Sequence, residues 1–141
     1  MNFWDSSALV PLLVEEPASA DCRRLLPDDS AVAVWALTVV EIASSLRRKE
    51  REGGLDSPAM DVALARLEAL AASWTEIESI PLVRAKAMRL LAVHPLRAAD
   101  ALQLAAALIL VGDEPRGSTF VTRDVRLRSA AHREGFQVPV L

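Results

Sequence analysis

The sequence predicts an α/β domain of three layers, in which helices cover both faces of a small parallel sheet. Short apolar runs rich in valine and aromatic residues alternate with longer stretches of helical periodicity along the chain. This alternation is typical of parallel strands joined by right-handed helical crossovers. The chain has 141 residues, of which 52% are hydrophobic and 25% charged, and this composition suits one compact core spanning residues 1–141 as a single domain.

The predicted strands are brief apolar runs bounded by turn residues or by helix starts. Asn2–Trp4 ends in two aromatic side chains and residues 31–35 are rich in valine, so both suit a buried sheet. About five strands are expected. In chain order they are residues 2–4, 31–35, 76–80, 119–122 and 136–140.

The predicted helices show apolar residues at spacings of three and four between capping residues and breakers. Pro17 and Pro81 suit first turns, and Gly135 suits the end of the last helix. The helix at 97–111 is apolar nearly all round, so we expect it at the centre, packed on both sides. In chain order the helices are residues 6–15, 17–26, 38–52, 57–74, 81–93, 97–111 and 125–133, with a turn at 27–30.

Composition and local signals predict a cytoplasmic protein. The net charge is −3, so the chain as a whole is not a basic nucleic-acid binder. Cys22 is the single cysteine and has no partner for an internal disulfide, which favours a reducing compartment. Asp5 interrupts the apolar start that a secretory signal needs, and the apolar stretch 104–111 is far shorter than the ~20 residues of a membrane span.

Four acidic residues occupy equivalent places in this pattern. Asp5, Glu41, Asp100 and Asp124 each lie where a strand-like run meets a helix start or in the first turn of a helix. In α/β sheets such junctions gather beyond the carboxyl ends of the strands, where ligands bind. We therefore expect four carboxylates in one small space.

Each acid also has a purely structural interpretation. Asp5 and Asp124 suit N-caps, and Asp100 suits a first turn, where the helix dipole favours a negative charge. Thr38 and Glu41 have the spacing of a capping box, in which the glutamate accepts from the Thr38 backbone amide.

The set is harder to explain by capping alone. Asp5 follows a buried strand, and Asp100 lies among alanines and a leucine, where an unpartnered charge is unfavourable. At an effective dielectric of about 20, two like charges about 4 Å apart repel by roughly 4 kcal/mol. A hard divalent cation, Mg²⁺ or Mn²⁺, relieves that repulsion, and all-oxygen ligands suit it. These residues predict metal-assisted chemistry on phosphate esters.

The acids lie in longer segments with recognisable sequences. These are DSSAL at 5–9, TVVEIA at 38–43, LRAADALQLAAA at 96–107 and FVTRDVRL at 120–127. In order and spacing they resemble the four motifs of PIN-domain ribonucleases across essentially the whole chain. The length is most similar to that of VapC-type toxins of prokaryotic toxin–antitoxin pairs.

The resemblance implies a parallel sheet of order 3-2-1-4-5 and an endoribonuclease that depends on Mg²⁺ or Mn²⁺. Water would be the nucleophile, leaving a 5′-phosphate and a 3′-hydroxyl. By position, Asp5, Asp100 and Asp124 would be the metal ligands, and Glu41 a further ligand or a base that positions the water. One departure is Gln103, where many relatives have histidine.

The resemblance also implies supporting groups and partners. Ser6 and Thr122 would hold the metal's water ligands or the phosphate. The partners would be RNA, a small antitoxin that inserts a peptide or helix beside the helices at 38–52 and 57–74, and a second copy in a homodimer. Family members with other RNA-processing roles leave the toxin assignment open.

Several arginines adjoin the third and fourth acids. Arg97, Arg123 and Arg126 are candidate contacts for RNA phosphates, as is Arg128, and the alternative for each is an ordinary solvated helix face. The basic run at 47–51 is interrupted by Glu50, a pattern typical of ion pairs within a helix.

Two other classes of protein compete with a metal-dependent nuclease. An aspartyl-phosphate protein needs a second acid beside the first and a lysine late in the chain. Here Asp5 is followed by Ser6-Ser7-Ala8, and the last lysine is Lys86, so the residues exclude this class. A catalytically silent domain that binds RNA or protein is the other alternative, and the presence of all four acids argues against it.

Overall fold

The computed structural model describes residues 1–26 and 31–141, so the turn predicted at 27–30 lies outside the described residues. Strands and helices alternate as the sequence predicts. The elements are β1 (Asn2–Trp4), α1 (Ser6–Leu13), α2 (Ser19–Leu25), β2 (Val32–Trp35), α3 (Thr38–Arg51), α4 (Ser57–Ala71), β3 (Thr75–Ile77), α5 (Ile80–Val93), α6 (Ala98–Leu110), β4 (Phe120–Val121) and α7 (Val125–Glu134).

The sheet is parallel throughout its four strands, in the order β3-β2-β1-β4. Phe3 on the central strand β1 pairs with Ala33 of β2 on one side and with Phe120 of β4 on the other. The predicted order is therefore confirmed for these four strands.

The fifth predicted strand, at 136–140, is wrong. Gln137 alone forms an isolated parallel bridge, to Thr119. Phe136 turns into the core beside Phe120, with ring centroids 5.7 Å apart. Pro139 has no amide hydrogen to donate, so the ladder does not extend past the bridge.

The third strand and the helix after it are shifted from their predicted positions. β3 covers Thr75–Ile77 instead of 76–80, and Ile80 belongs to α5. Pro81 lies in the first turn of α5, where its missing amide hydrogen leaves no helical bond unmade. The helix therefore begins before the apolar run ends, and this shortens the strand.

Helices cover both faces of the sheet, so the three-layer prediction is confirmed. Side chains alternate along β2: Ala33 and Trp35 join the core beneath α5, α6 and α7, whereas Val32 and Val34 join the core beneath α1, α3 and α4. Each core contains side chains from several strands and from the helices that cover them. This packing holds the carboxyl ends of the strands close to the starts of the helices.

Helix α6 occupies the central position predicted for it. Ala101 and the side chains from Gln103 to Leu108 are almost wholly inaccessible to solvent, whereas Ala98 and Ala99 at the start of the helix are exposed. Small side chains let the helix approach the sheet and its neighbours closely. The buried residues of α6 are Ala101, Gln103, Leu104, Ala105, Ala106, Ala107 and Leu108.

Within the described residues, no single helix is long and apolar enough to span a membrane. Helices α5 and α6 reach that length and apolar character only when they are taken together, and they meet at 117°.

Candidate active site at the carboxyl edge of the sheet

The four predicted acids lie at the same edge of the sheet. Asp5 follows β1 and is the N-cap of α1, while Asp124 lies after β4 and is the N-cap of α7. Glu41 and Asp100 lie in the first turns of α3 and α6. Their charges lie close enough to affect one another's pKa values. Repulsion from Asp124 raises the pKa of Asp5, and repulsion from Asp5 raises the pKa of Glu41 and of Asp100. Asp100 also raises the pKa of Glu41, and Asp124 that of Asp100. The structure therefore brings the four acids together.

Asp5 is buried and held by three hydrogen bonds to one oxygen. Its Oδ2 accepts from the Ser7 amide at 3.3 Å, from the Ser7 hydroxyl at 2.5 Å and from the Thr122 hydroxyl at 2.8 Å. Oδ1 accepts one long bond from the Ser6 hydroxyl, at 3.4 Å. The predicted capping role is confirmed, yet it occupies one oxygen and leaves the other almost free.

Glu41 does not form the predicted capping box. Leu37 is the residue at the N-cap of α3, so Thr38 is already inside the helix. The Glu41 carboxylate instead accepts from the Ser6 hydroxyl and from Gln103 Nε2, each at 3.0 Å. Its side chain therefore points into the acid cluster. The capping box, which was the structural alternative to a role in the site, does not form.

Gln103 is a member of the site that the sequence reasoning treated only as a departure from the motif. It is fully buried, and besides holding Glu41 its Nε2 donates to the Thr38 hydroxyl at 3.0 Å. The signal was present: Gln103 follows Asp100 by three residues and is the polar side chain on an otherwise apolar stretch of α6.

Asp124 and Thr122 complete the edge. Asp124 Oδ1 accepts from the Leu127 amide at 2.8 Å, which confirms the predicted cap. The Thr122 hydroxyl donates to Asp5 and accepts from the Asp124 amide at 3.0 Å, so it links the two aspartates. Ser7, which was not among the predicted site residues, has its hydroxyl oxygen 3.2 Å from that of Thr122 and accepts from the Arg123 amide at 2.9 Å.

The surroundings raise the pKa of three of these carboxyl groups. Burial is the largest cause for Asp5, Glu41 and Asp100, and repulsion from neighbouring acids adds to it. Hydrogen bonds from Ser7 and Thr122 oppose the rise in the pKa of Asp5, and bonds from Gln103 and Ser6 oppose that of Glu41. The cluster accordingly favours a proton or a cation over four bare negative charges.

The oxygen atoms of the site are of the type that binds a hard cation, but their positions do not form a complete set of direct ligands. Carboxylate and hydroxyl oxygens are the ligands that Mg²⁺ and Mn²⁺ prefer. Among residues 1–26 and 31–141, however, no three Asp, Glu, His or Cys side chains converge closely enough to hold one ion directly. Mg²⁺ commonly keeps several waters and uses one or two carboxylates, so the residues fit a hydrated ion. Joint ligation by Asp5, Asp100 and Asp124 stays a prediction.

Arginines border the acids on the side of α6 and α7. Arg97, Arg123 and Arg126 line the same groove as Asp100 and Asp124, as their places in the sequence suggest. Arg128 lines a different surface, with Ser129, His132 and Val138. The structure thus places three of the four arginines beside the acids and separates the fourth from them.

Replacing Asp100 by asparagine is expected to stabilise the metal-free protein at neutral pH but not at acid pH. Burial, then Asp124 and Asp5, raise the pKa of Asp100 above 3.8. The folded chain therefore binds this proton more tightly than the unfolded chain does. The free energy of unfolding falls as the pH rises from about 4 through the raised pKa. The variant lacks this loss, and urea denaturation with a chelator across that pH range measures the difference.

Asp56→Asn is the matched control for this experiment. Asp56 is the exposed N-cap of α4 and accepts from the Ala59 amide at 2.9 Å, a bond that asparagine retains. Asp56→Asn therefore reports the general effect of losing one surface carboxylate on the unfolding curve. A difference between Asp100→Asn and the wild type that does not vary with pH would show that the Asp100 charge is not destabilised by the fold.

The fold and the gathered acids define the PIN-domain class of proteins. A model of the PIN domain matches residues 3–133, and the chain belongs to this family. A relative is Ribonuclease VapC45 of Mycobacterium tuberculosis (strain CDC 1551 / Oshkosh), which is 32% identical over 136 residues, or 96% of this chain and 92% of the relative. The predicted family resemblance is confirmed.

Solved structures share the fold. PAE2754 from Pyrobaculum aerophilum aligns with a TM-score of 0.68 and 22% identity, over 97% of this chain and 87% of the other. A toxin–antitoxin complex from Klebsiella pneumoniae contains a chain that aligns with a TM-score of 0.58 and 13% identity, over 89% and 88%. At these identities the likeness concerns the fold.

Proposed function

We propose that the protein is a Mg²⁺- or Mn²⁺-dependent endoribonuclease and the toxin of a toxin–antitoxin pair. The observation that carries the proposal is the cluster of Asp5, Glu41, Asp100 and Asp124 at the sheet edge, where burial and mutual repulsion favour a bound cation. Membership of the PIN-domain family and the ribonuclease name of the relative VapC45 support RNA as the substrate.

The acids of the site have two proposed roles, binding the cation and activating water. Asp5, Asp100 and Asp124 would hold the cation, which when bound supplies positive charge to the phosphate and lowers the pKa of water. Ser7 and Thr122 fix Asp5 before any ligand arrives. Glu41, whose carboxylate is held by Ser6 and Gln103, would act as a general base for the attacking water. Its proton affinity is raised above the usual value by burial, so it suits that role.

A cleavage assay on single-stranded RNA with and without divalent ions tests this function. Cleavage is expected with Mg²⁺ or Mn²⁺, with loss on addition of a chelator and recovery when the ion is returned in excess. Asp124→Asn, purified in the same way, detects contaminating nucleases. Cleavage that persists in the chelator, or that equals the wild-type rate in Asp124→Asn, would contradict the proposed chemistry.

The toxin role has its own test. The similarity to a chain of the Klebsiella pneumoniae toxin–antitoxin complex supports a small antitoxin protein as partner. Expression is expected to arrest growth, Asp100→Asn to relieve the arrest, and co-expression of a short neighbouring reading frame to do the same. A nuclease of ordinary RNA processing would cleave RNA without arresting growth. The homodimer stays a prediction.

Gln103→Leu is expected to lower the cleavage rate about tenfold. The change keeps most of the buried volume but removes the bond from Nε2 to Glu41 at 3.0 Å. A hydrogen bond to a charged group contributes ~1.5–3 kcal/mol, and a loss of about 1.4 kcal/mol corresponds to a factor of ten. Initial rates at saturating metal measure the effect.

Thr38→Val is the control for Gln103→Leu. It removes the buried hydrogen bond between Thr38 and Gln103 without removing the bond that orients Glu41. Thr38 contacts Gln103 but not Glu41 through its hydroxyl, so its loss leaves the Gln103–Glu41 bond in place. We expect a smaller effect on rate than for Gln103→Leu. Equal rates in the two variants would indicate that Gln103 does not act through Glu41.

A further inference from the structure

Glu41, Asp100 and Asp124 line a groove that has two arms. The first, which we call the α3 arm, is bordered by Ser44, Ser45, Arg48 and Lys49 beyond Glu41. The second, the α7 arm, is bordered by Arg97, Val125 and Arg126 beside Asp100 and Asp124. Both arms include Ala99 and Arg123, so the groove continues from one to the other past the acids.

Positive charge outnumbers negative charge in each arm, although the whole chain has a net charge of −3. Three cationic side chains line each arm against two carboxylates, and because Arg123 belongs to both arms the whole groove has five cationic side chains against four carboxylates. The α3 arm has Arg48, Lys49 and Arg123 against Glu16 and Glu41. A local excess of positive charge on an acidic protein favours a polyanion along this path.

The α3 arm is a stripe along one face of its helix. Ser44, Ser45 and Arg48 follow Glu41 by three, four and seven residues, so they lie on the same side of α3. At 1.5 Å per residue, the rise from Glu41 to Arg48 is about 10 Å. Arg48 is therefore placed to meet a phosphate other than the one at the acids.

Arg48 provides the unpaired charge of this arm. Glu16 pairs with Lys49 at 2.5 Å and with Arg123 at 3.0 Å, and Arg47 pairs with Glu50 at 3.2 Å. Arg48 forms no ion pair with any residue in the ranges 1–26 and 31–141. It is therefore the arginine of the run at 47–51 that both faces the groove and is free to bind an anion.

The lining also indicates how a nucleic acid is held. No aromatic side chain lines either arm within the described residues, so bases have no stacking platform there. Hydroxyl and guanidinium groups instead suit phosphate oxygens. The groove therefore favours contacts with the backbone of a strand over recognition of its bases.

We propose that the α3 arm is a phosphate-binding subsite for single-stranded RNA, one or more nucleotides away from the scissile bond. This proposal rests on the proposed ribonuclease function. The Arg48 guanidinium binds a phosphate, with the Ser44 and Ser45 hydroxyls donating to the same group or its neighbour. The α7 arm holds the strand on the other side of the acids, so that cleavage falls within the strand.

Binding of a fluorescent oligoribonucleotide of roughly 12 nucleotides tests the subsite. Asp100→Asn serves as the background so that the RNA survives, and Arg48→Gln is compared with Arg51→Gln over a series of salt concentrations. The two changes remove the same charge from the same helix. Arg51 is exposed but does not line the groove, so Arg51→Gln is the matched control. Arg48→Gln is expected to weaken binding severalfold and to reduce the salt slope by about 0.7, with little change for Arg51→Gln.

Three outcomes decide the proposal. Equal loss for Arg48→Gln and Arg51→Gln would overturn it, because general attraction would then explain binding. Ser44→Asp places a negative charge on an exposed position of the same stripe, and unaltered binding in that variant would overturn it as well. Polyglutamate of equal charge that binds as tightly, with the same loss on Arg48→Gln, would assign the groove to an acidic protein segment.

Failure of the ribonuclease function gives a different pattern of results. If the wild type does not cleave RNA with Mg²⁺ or Mn²⁺, the proposed function fails while the binding comparison still reports on the groove. If the wild type cleaves RNA and Arg48→Gln matches Arg51→Gln in both binding and cleavage, the subsite alone is wrong.

Discussion

Replacing Asp5 by asparagine is expected to lower the rate of RNA cleavage at least about 100-fold, the upper range seen when groups that merely support a metal ligand are removed. Asparagine Oδ1 retains an acceptor for Ser7 and Thr122, so the N-cap of α1 survives. What disappears is the negative charge at the centre of the site, which a cation and its water need. Initial rates with saturating Mn²⁺ measure the loss.

Asp56→Asn is the control for Asp5→Asn because both residues are N-caps and both changes remove one charge. Asp56 is exposed and lies in neither arm of the groove. Its variant is expected to cleave RNA at the wild-type rate. If Asp5→Asn kept more than about a tenth of the wild-type rate, Asp5 would be a helix cap and not part of the catalytic machinery.

Replacing Phe120 by alanine is expected to reduce the free energy of unfolding by about 3–5 kcal/mol. Phe120 is fully buried on β4. Its ring stacks on Phe3 with centroids 5.3 Å apart and contacts Phe136 at 5.7 Å. The row of three rings joins β4 to the centre of the sheet and to the segment after α7, so alanine leaves a cavity that its neighbours cannot easily fill. Urea denaturation followed by tryptophan fluorescence measures the change.

Two comparisons make the Phe120 result specific. Phe120→Leu retains most of the apolar volume and is expected to destabilise the protein less than alanine does. Val140→Ala removes an apolar side chain that is 83% exposed and should change the free energy by no more than about 0.5 kcal/mol. A loss below about 1 kcal/mol for Phe120→Ala would mean that the core closes around the missing ring.

Local sequence patterns were sufficient for the layers and for parallel pairing, whereas the strand order followed from the family resemblance. Valine-rich β2 and aromatic β1 alternate with amphipathic helices, and this alternation leaves parallel pairing as the simple solution. The segment 136–140 has the composition of a strand too. Whether it joins the sheet depends on Phe136 packing against Phe120 and on the missing amide hydrogen of Pro139. The packing involves residues far apart in the chain, so local sequence patterns do not reveal it.

The positions of the acids were predictable because topology alone brings strand ends to one edge. Their hydrogen-bond partners were not. Thr38 and Glu41 match a capping box by spacing, but the helix begins one residue earlier than the box requires, with Leu37 at the N-cap. Glu41 consequently bonds with Gln103, 62 residues away, and no local pattern encodes that distance.

The link between Asp5 and Thr122 has a consequence for the order of events during synthesis. The two residues are separated by 117 positions, and Asp124 follows two residues after Thr122. A nascent chain that has not reached β4 lacks one acid and leaves another without its support. A growing polypeptide therefore lacks the complete acid cluster until nearly the whole PIN domain has been synthesised.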